Sequence, residues 1–250
     1  MKILLAGEDP APGSARYLLA VLKAMHATAV HVSSRQRMSA RMFRQRYAAI
    51  LLSDFPSIQA PLSAQQALAE QVRDGTGLLM IGGWASFSGP FGGWHGSLIE
   101  RLLPVTCQDH DDRINFPSGA LLVSKATHAI WGGLSFAHPP IICGLNQVQP
   151  TRHSRVLLSA RPLLTRSHRG LPQVRVSPKE YPLLVIGTQP DRRVAAFATD
   201  AAPHWCGGLV DWGERSVRLP VTKRIHAEVG DRYVRLFSCL LRWAARAPSA

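Results

Sequence analysis

The segment GGWASFSGPFGGW, Gly82–Trp94, sets hydroxyls and aromatic rings between glycines directly after an apolar run. Glycine takes positive φ without strain and lets backbone N–H groups approach an anion or a carbonyl oxygen, so Gly82 and Gly83 are candidate oxyanion or ligand donors. Ser86 and Ser88 add hydroxyls, and Trp84, Phe87 and Trp94 could wall an apolar pocket. The same glycines equally suit a tight turn that serves only packing. A second segment, ATDAAPHWC at Ala198–Cys206, contributes Asp200, His204 and Trp205. A carboxylate that fixes an imidazole tautomer creates a base or a metal ligand. Alternatively, Asp200 caps the following turn and His204 fills a polar gap. Cys206 beside His204 is the one thiol–imidazole pair that could be built for covalent catalysis, although such a cysteine is commonly a small buried hydrophobe.

The remaining candidates are looser. QDHDDR, Gln108–Arg113, crowds Asp109, His110, Asp111 and Asp112 into an otherwise acid-poor chain. Such oxygen and imidazole groups can hold a divalent cation, but a run of acids in a loop also pairs with a neighbour such as Arg113. With no EF-hand or HExxH spacing, no metal is expected. His95, after Trp94 and at the start of an expected helix WHGSLIERLLPV, faces either the cleft or solvent. Asn146 in GLNQV either satisfies backbone groups or orients a ligand. Glu8 and Ser14 lie near the end of the first apolar run.

These groups need a scaffold that delivers them to one place. KILLAG, Lys2–Gly7, is followed by helical spacing at Leu18, Leu19, Leu22 and Met25 within Ser14–His26. Strand then helix opens a doubly wound α/β domain. ATAVHV (Ala27–Val32), an apolar run ending at Asp54 and GLLMIGG from Gly77 read as further strands, with a helix over Ser63–Asp74. Runs without polar alternation imply burial on both faces and hence a parallel sheet between helices. In such sheets ligands gather beyond the strand carboxyl ends, here Gly7, Ser53-Asp54 and Gly82-Gly83. After Val105 the pattern becomes strand-rich, through GALLVS, SRVLLSA, YPLLVIGT and RRVAAFATD. A closing helix carries Tyr233, Leu236, Leu240 and Trp243 on one face. The whole of 1–250 is expected to form a single domain.

Composition narrows the partners. The net charge of +13 arises from 29 Lys and Arg against 16 Asp and Glu. Its one dense run, Arg35–Arg46, is a solvated face or a contact for anionic partners. No aromatic residues interleave the arginines as in single-strand binders, so a nucleic-acid partner is not expected. Cys107, Cys143, Cys206 and Cys239 show no ligand spacing and no disulfide framework, which suits a reducing compartment. The N-terminus turns polar too soon for a signal peptide, and no apolar run reaches membrane-spanning length. The expectation is a cytoplasmic protein with no membrane association and no cofactor. Its partner would be a small molecule or a protein. Homo-oligomers are left open, because Trp131 and Trp212 suit a self-association surface or a core equally.

Four segments in order, DGTGLLMIGGWASFSGPFGGWHGSLIERLLPV, DDRINFPSGALLVSKATHAIWGGL, ICGLNQV and RRVAAFATDAAPHW, together resemble the class I glutamine amidotransferase-like family. The resemblance runs from Asp74 to Trp205 and implies a flavodoxin-like, glutamine amidotransferase-type fold with a central, mostly parallel sheet. It also carries an oxyanion role to Gly82 and Gly83. The departure is chemical, because working members need a cysteine on a G-x-C-x-G turn and this chain has none. GALLVSKATHAIWGGL, in the corresponding place, offers Ser124, Lys125 and His128 but no thiol. The resulting expectation is a protein that does not hydrolyse glutamine. It would bind a small molecule or protein partner at the strand carboxyl ends through Gly82, Gly83, Trp84, Ser86, Ser88, His95, His204 and Trp205. The alternative is a diverged hydrolase or transferase acting on an amide or carbonyl, with His204 as base.

Overall fold

The computed structural model describes residues 1–11, 13–169 and 171–248. The apolar runs of the first third form β1 (Lys2–Gly7), β2 (Thr28–Ser33), β3 (Ala49–Ser53) and β4 (Gly77–Ile81), with α1 (Ala15–Ala24) and α2 (Leu62–Arg73) between them. Every residue of β3 and β4 is buried, as strands covered on both faces must be. The chain then builds β5 (Val105–Thr106), β6 (Arg113–Ser124), β7 (Ile141–Asn146), β8 (Gln149–Pro150), β9 (Ser154–His168), β10 (Leu171–Val176), β11 (Tyr181–Gly187) and β12 (Val194–Phe197). It closes with the short α3 (Pro203–Cys206), the hairpin β13 (Ser216–Pro220) and β14 (His226–Gly230), and α4 (Asp231–Ala244).

The main sheet runs β2-β1-β3-β4-β12-β11-β9-β6-β7, with β10 added to β9. Its first five strands are mutually parallel, and from β12 onward every neighbour is antiparallel. The topology explains the change of pattern after Val105. Leaving β4 at Gly82, the chain builds the antiparallel arm first and returns beside β4 only at Val194, pairing Val194 with Leu78 and Phe197 with Ile81. Segments more than a hundred residues apart thereby end side by side.

Helix α4 buries Tyr233, Leu236, Phe237, Leu240, Leu241 and Ala244, and it packs against α1 and β4. Trp243, expected on that face, lies only half-buried at its edge. Trp131 and Trp212 belong to the core, each in ring contact with Phe136, and their indole N–H groups donate to Ala126 and His138 carbonyls at 3.0 and 2.8 Å. The helix expected over WHGSLIERLLPV is corrected to a single 3-10 turn, Glu100–Leu102. Gly96 holds φ at 74°, and the Glu100 carboxylate accepts the Gly96 and Cys107 N–H groups at 2.5 and 2.7 Å, a local closure that competes with helical bonding. Within the basic run, Arg46 reaches Asp74 at 2.9 Å and Arg35 reaches Asp9 at 3.8 Å, both in exposed pairs.

Candidate functional site

The carboxyl ends of β1, β3, β4 and β12 deliver Glu8, Asp54, the Gly82–Trp84 turn and Asp200 to one edge of the parallel block. A cleft of about 320 Å³ opens there, bounded by Glu8, Ser14, Asp54, Trp84, Asp200 and His204. Gly82 is required by close packing, since a Cβ would collide with the Ala198 carbonyl.

Asp54 is the most constrained residue of the group. Its φ of 50° is left-handed, a conformation that costs most residues strain but is commoner for Asp and Asn. Its N–H donates to Ser86 Oγ at 3.0 Å, and Ser86 in turn donates to the Ile81 carbonyl at 2.6 Å. The Asp54 carboxylate accepts the Ala85 N–H at 2.8 Å and is also held by the Trp84 N–H. Gly83, with φ at 148°, lies so close beneath it that a Cβ would overlap both carboxylate oxygens. The glycine turn therefore wraps a carboxyl group with the Trp84 and Ala85 N–H groups, while Gly82 N–H donates to the Phe197 and Thr199 carbonyls at 2.7 and 3.1 Å and Gly83 N–H to Asn146, so neither glycine N–H is left as an open oxyanion donor.

Asp200 sits across the cleft floor. Its Oδ1 accepts the Ala201 and Ala202 N–H groups at 2.6 and 3.1 Å, the capping role weighed above, and no hydrogen bond joins it to His204 among the described residues. Burial raises the Asp200 pKa well above the ordinary carboxyl value, and the charge of Asp54 raises it further. Burial likewise lifts Asp54 to about 7, with Glu8 adding repulsion and the Ala85 N–H pulling the other way. Two carboxyl groups so placed resist simultaneous ionisation, so near neutral pH at least one of them stays protonated. Glu8 completes the set, its Oε2 accepting Ser14 N–H and Oγ–H at 3.0 and 2.6 Å.

A buried brace fixes the turn from behind. Asn146, at the end of β7, accepts the Gly83 N–H at 2.9 Å and donates to the Gly83 carbonyl at 3.2 Å and to Asp112 at 2.6 Å. Asp112 also accepts the Ser88 N–H at 2.8 Å, and burial raises its pKa to about 6 against the pull of the Asn146 and Ser88 bonds. Asp111 pairs with Arg113 at 2.7 Å, and the Arg113 guanidinium lies 4.3 Å from the Trp84 ring centroid. The His204 ring meets Trp84 edge-on at 6.0 Å. Trp84, 42% exposed, is thus held between a cation and an imidazole with much of its ring open to the cleft.

The structure brings Gly83, Trp84, Asp200 and His204 together with Glu8, Ser14 and Asp54. Ser86 is buried behind Asp54, while Ser88 Oγ donates to the Gln108 carbonyl, so both hydroxyls anchor the turn. Phe87 and Trp94 are fully buried, and Trp94 donates to the Phe55 carbonyl at 3.0 Å. His95 turns to the Cys107 carbonyl at 3.2 Å. Trp205 packs on Gly144 and donates to Asn115 at 2.8 Å, on the far side of α3 from the cleft. Cys206 is buried, its thiol pKa raised well above the usual value by burial, and it makes no pair with His204. Ser124 ends the antiparallel β6 and Lys125 and His128 follow it, whereas the strand beside β4 is β12. Lys125 there pairs with Glu180 at 2.8 Å, and His128 accepts the Ile130 N–H at 3.1 Å. Among the described residues, no group of three His, Cys, Asp or Glu side chains is arranged to hold a metal ion. Nor is any helix among them long and apolar enough to cross a membrane.

The family described as "Putative glutamine amidotransferase", GATase1-like, matches residues 15–221. No curated protein matches the chain significantly. Among solved structures, the Cytoplasmic Protein STM1381 from Salmonella typhimurium LT2 aligns with a TM-score of 0.71 at 24% identity, over 98% of this chain and 99% of its own. The Cytoplasmic Protein STM3548 from Salmonella typhimurium aligns with a TM-score of 0.72 at 22% identity, over the same 98% and 99%. The three chains share the fold.

Proposed function

The chain belongs to the GATase1-like family, and we propose that it binds a small polar molecule at the carboxyl ends of its parallel strands without hydrolysing glutamine. The observation that carries this reading is the cleft itself, with Asp54 and Asp200 on its floor and Trp84 and His204 on its wall. A carboxyl pair of which one member stays protonated offers both a hydrogen-bond donor and an acceptor, which suits a ligand bearing hydroxyl or amide groups. The open face of Trp84 would stack on a flat or apolar part of the same molecule. Against glutaminase chemistry stands the thiol inventory. Among the described residues no cysteine lines the cleft, and the nearest in sequence, Cys206, is buried with its thiolate disfavoured.

A second reading has one specific support. Asp54, at about 7, lies where a general acid or base works best near neutral pH. A diverged hydrolase or transferase would then use Asp54 with His204, rather than His204 with an oxyanion hole. The sheet that links β2 to β7 favours treating 1–250 as one domain.

Calorimetric titration with a panel of simple sugars, nucleosides and amides, glutamine included, tests both readings. Binding of a panel member that is saturable and lost in Trp84→Ala and Asp54→Asn is the expected result. Product from that ligand, abolished in Asp54→Asn, would select the enzyme. Ammonia released from glutamine, binding indifferent to both substitutions, or no binding at all would overturn the proposal.

A further inference from the structure

A second cavity of about 340 Å³ lies between α4 and the 3-10 turn Ala129–Trp131. It sits at the opposite end of the parallel block from the cleft. Arg193 immediately precedes β12, its carbonyl accepts the Leu78 N–H at 2.9 Å, and Gly77 at the start of β4 abuts Ala244 of α4. Arg193, Arg235, Arg242 and Arg246 all line this cavity, and no Asp or Glu does. Arg235 and Arg242 recur along α4 with Cys239 at the spacing of one helical face, beside the stripe that enters the core, and Arg246 follows the helix with a left-handed φ of 53°.

Basic residues near the end of a helix are also favoured by its dipole, so the arginines alone would not indicate a ligand. The decisive observation concerns donors. Arg193 Nε and Trp243 Nε1 are both buried and both lack a hydrogen-bond partner, and both residues line this cavity. Buried N–H groups are nearly always paired, so two orphans just behind the lining of one cavity are donors that a bound acceptor would satisfy once either side chain turns toward it. The two side chains are already stacked, with the Arg193 guanidinium 5.2 Å from the Trp243 ring centroid. Arg235 donates to the Gly132 carbonyl at 2.5 Å and Arg242 to the Pro248 carbonyl at 3.3 Å, so each keeps further N–H groups free to turn inward. None of the four has a carboxylate within ion-pair distance among the described residues.

We propose that this cavity is a binding site for a phosphate monoester carried on an apolar or aromatic body. Four guanidinium groups around one cavity favour a dianion over a single carboxylate, and guanidinium geometry matches phosphate oxygens in pairs. Ile130, Trp243 and Ala247 provide the apolar wall for the body. The cavity is large enough for a group of that size. Cys239 takes no chemical part, because burial raises its pKa and its Sγ donates to the Trp131 carbonyl at 3.6 Å. The site is independent of the cleft reading, since it shares no residue with it.

Calorimetry with phenyl phosphate, inorganic phosphate, benzoate and benzyl alcohol at about physiological salt tests the assignment, so that unspecific charge attraction is screened. Phenyl phosphate should bind one per chain, at least tenfold tighter than inorganic phosphate or benzoate, with benzyl alcohol silent. Arg193→Gln and Arg242→Gln should each weaken it tenfold or more, and Arg193→Lys should do so with the charge retained. Asp54→Asn, in the other site, should leave it unchanged. Circular dichroism of each variant shows whether the fold is kept. Absence of saturable phenyl phosphate binding, equal binding of benzoate or benzyl alcohol, or full binding by folded Arg193→Gln and Arg242→Gln would overturn it.

Discussion

The protonation of Asp54 can be tested without any ligand, through its effect on folding. In the folded chain burial places this carboxyl at about 7, against an ordinary value of 3.8. The folded state therefore holds the proton more tightly than the unfolded chain, and unfolding stability must fall as pH rises from about 4 to about 7, then level off. A difference of that size corresponds to about 4 kcal/mol, drawn chiefly from desolvation of a group with only 7% of its surface exposed. Asp54→Asn removes the titration. Asparagine tolerates the left-handed φ of 50°, and its amide oxygen can still accept the Ala85 N–H. Its NH2 group cannot accept the Trp84 N–H, which loses about 1–3 kcal/mol. The variant should then be less stable than the parent by roughly that amount below about pH 4, by progressively less as pH rises, and more stable above pH 8 by about 1–3 kcal/mol. Urea denaturation of both chains at intervals between pH 4.5 and 8.5 gives the difference directly. Asp112 titrates in both chains and largely cancels. A stability difference that stays constant across this range, or that grows in the opposite sense, would refute the buried Asp54 with its raised pKa.

The brace behind the turn gives two more predictions. Gly83→Ala puts a methyl group into the Asp54 carboxylate at a φ of 148°, and it should lower stability by about 3 kcal/mol or more, read from the urea midpoint with an unchanged slope. Asn146→Leu strips the partners from Gly83 and Asp112 together; about 3 kcal/mol should be lost, and carboxyl NMR should find Asp112 titrating above its present value of about 6.

The parallel half of the fold was readable because β1, β3 and β4 are short, unbroken apolar runs separated by helical spacing, so each local signal agreed with the final sheet. The order of the strands was not. That β12 rather than β6 lies beside β4 depends on a long excursion through the antiparallel arm, and no local periodicity encodes such a return. For the same reason the sequence puts Ser124, Lys125 and His128 in the place of the family's nucleophile turn, while in the structure the segment beside β4 ends in Asp200. The helix expected after Trp94 failed for a local reason. Apolar spacing at Leu98, Ile99, Leu102 and Leu103 was outweighed by Gly96 and by a glutamate that bonds backbone N–H groups outside helical register.

At the site, the sequence identified the glycine turn but misplaced the purpose of its donors. Glycines that bring N–H groups inward look the same in sequence whether those groups face an empty oxyanion position or are taken by neighbouring strands, and here the Phe197 and Thr199 carbonyls take that of Gly82 and Asn146 that of Gly83. Asp54 was visible as the polar end of β3, but its meaning depends on Gly83 lying beneath it and Asp200 across from it, residues 29 and 146 positions further along the chain. In a chain of net charge +13, gathering three of its few carboxyl groups, Glu8, Asp54 and Asp200, at one cleft works against solvation and stability alike. No guanidinium or ammonium group forms an ion pair with any of the three among the described residues. Arg113, which lies over Trp84 on the cleft wall, is instead paired with Asp111. Acid left uncompensated beside an excess of arginine supports the proposed binding role, because a carboxyl that stays protonated keeps an O–H donor for a ligand, which a paired guanidinium would remove by holding it ionised.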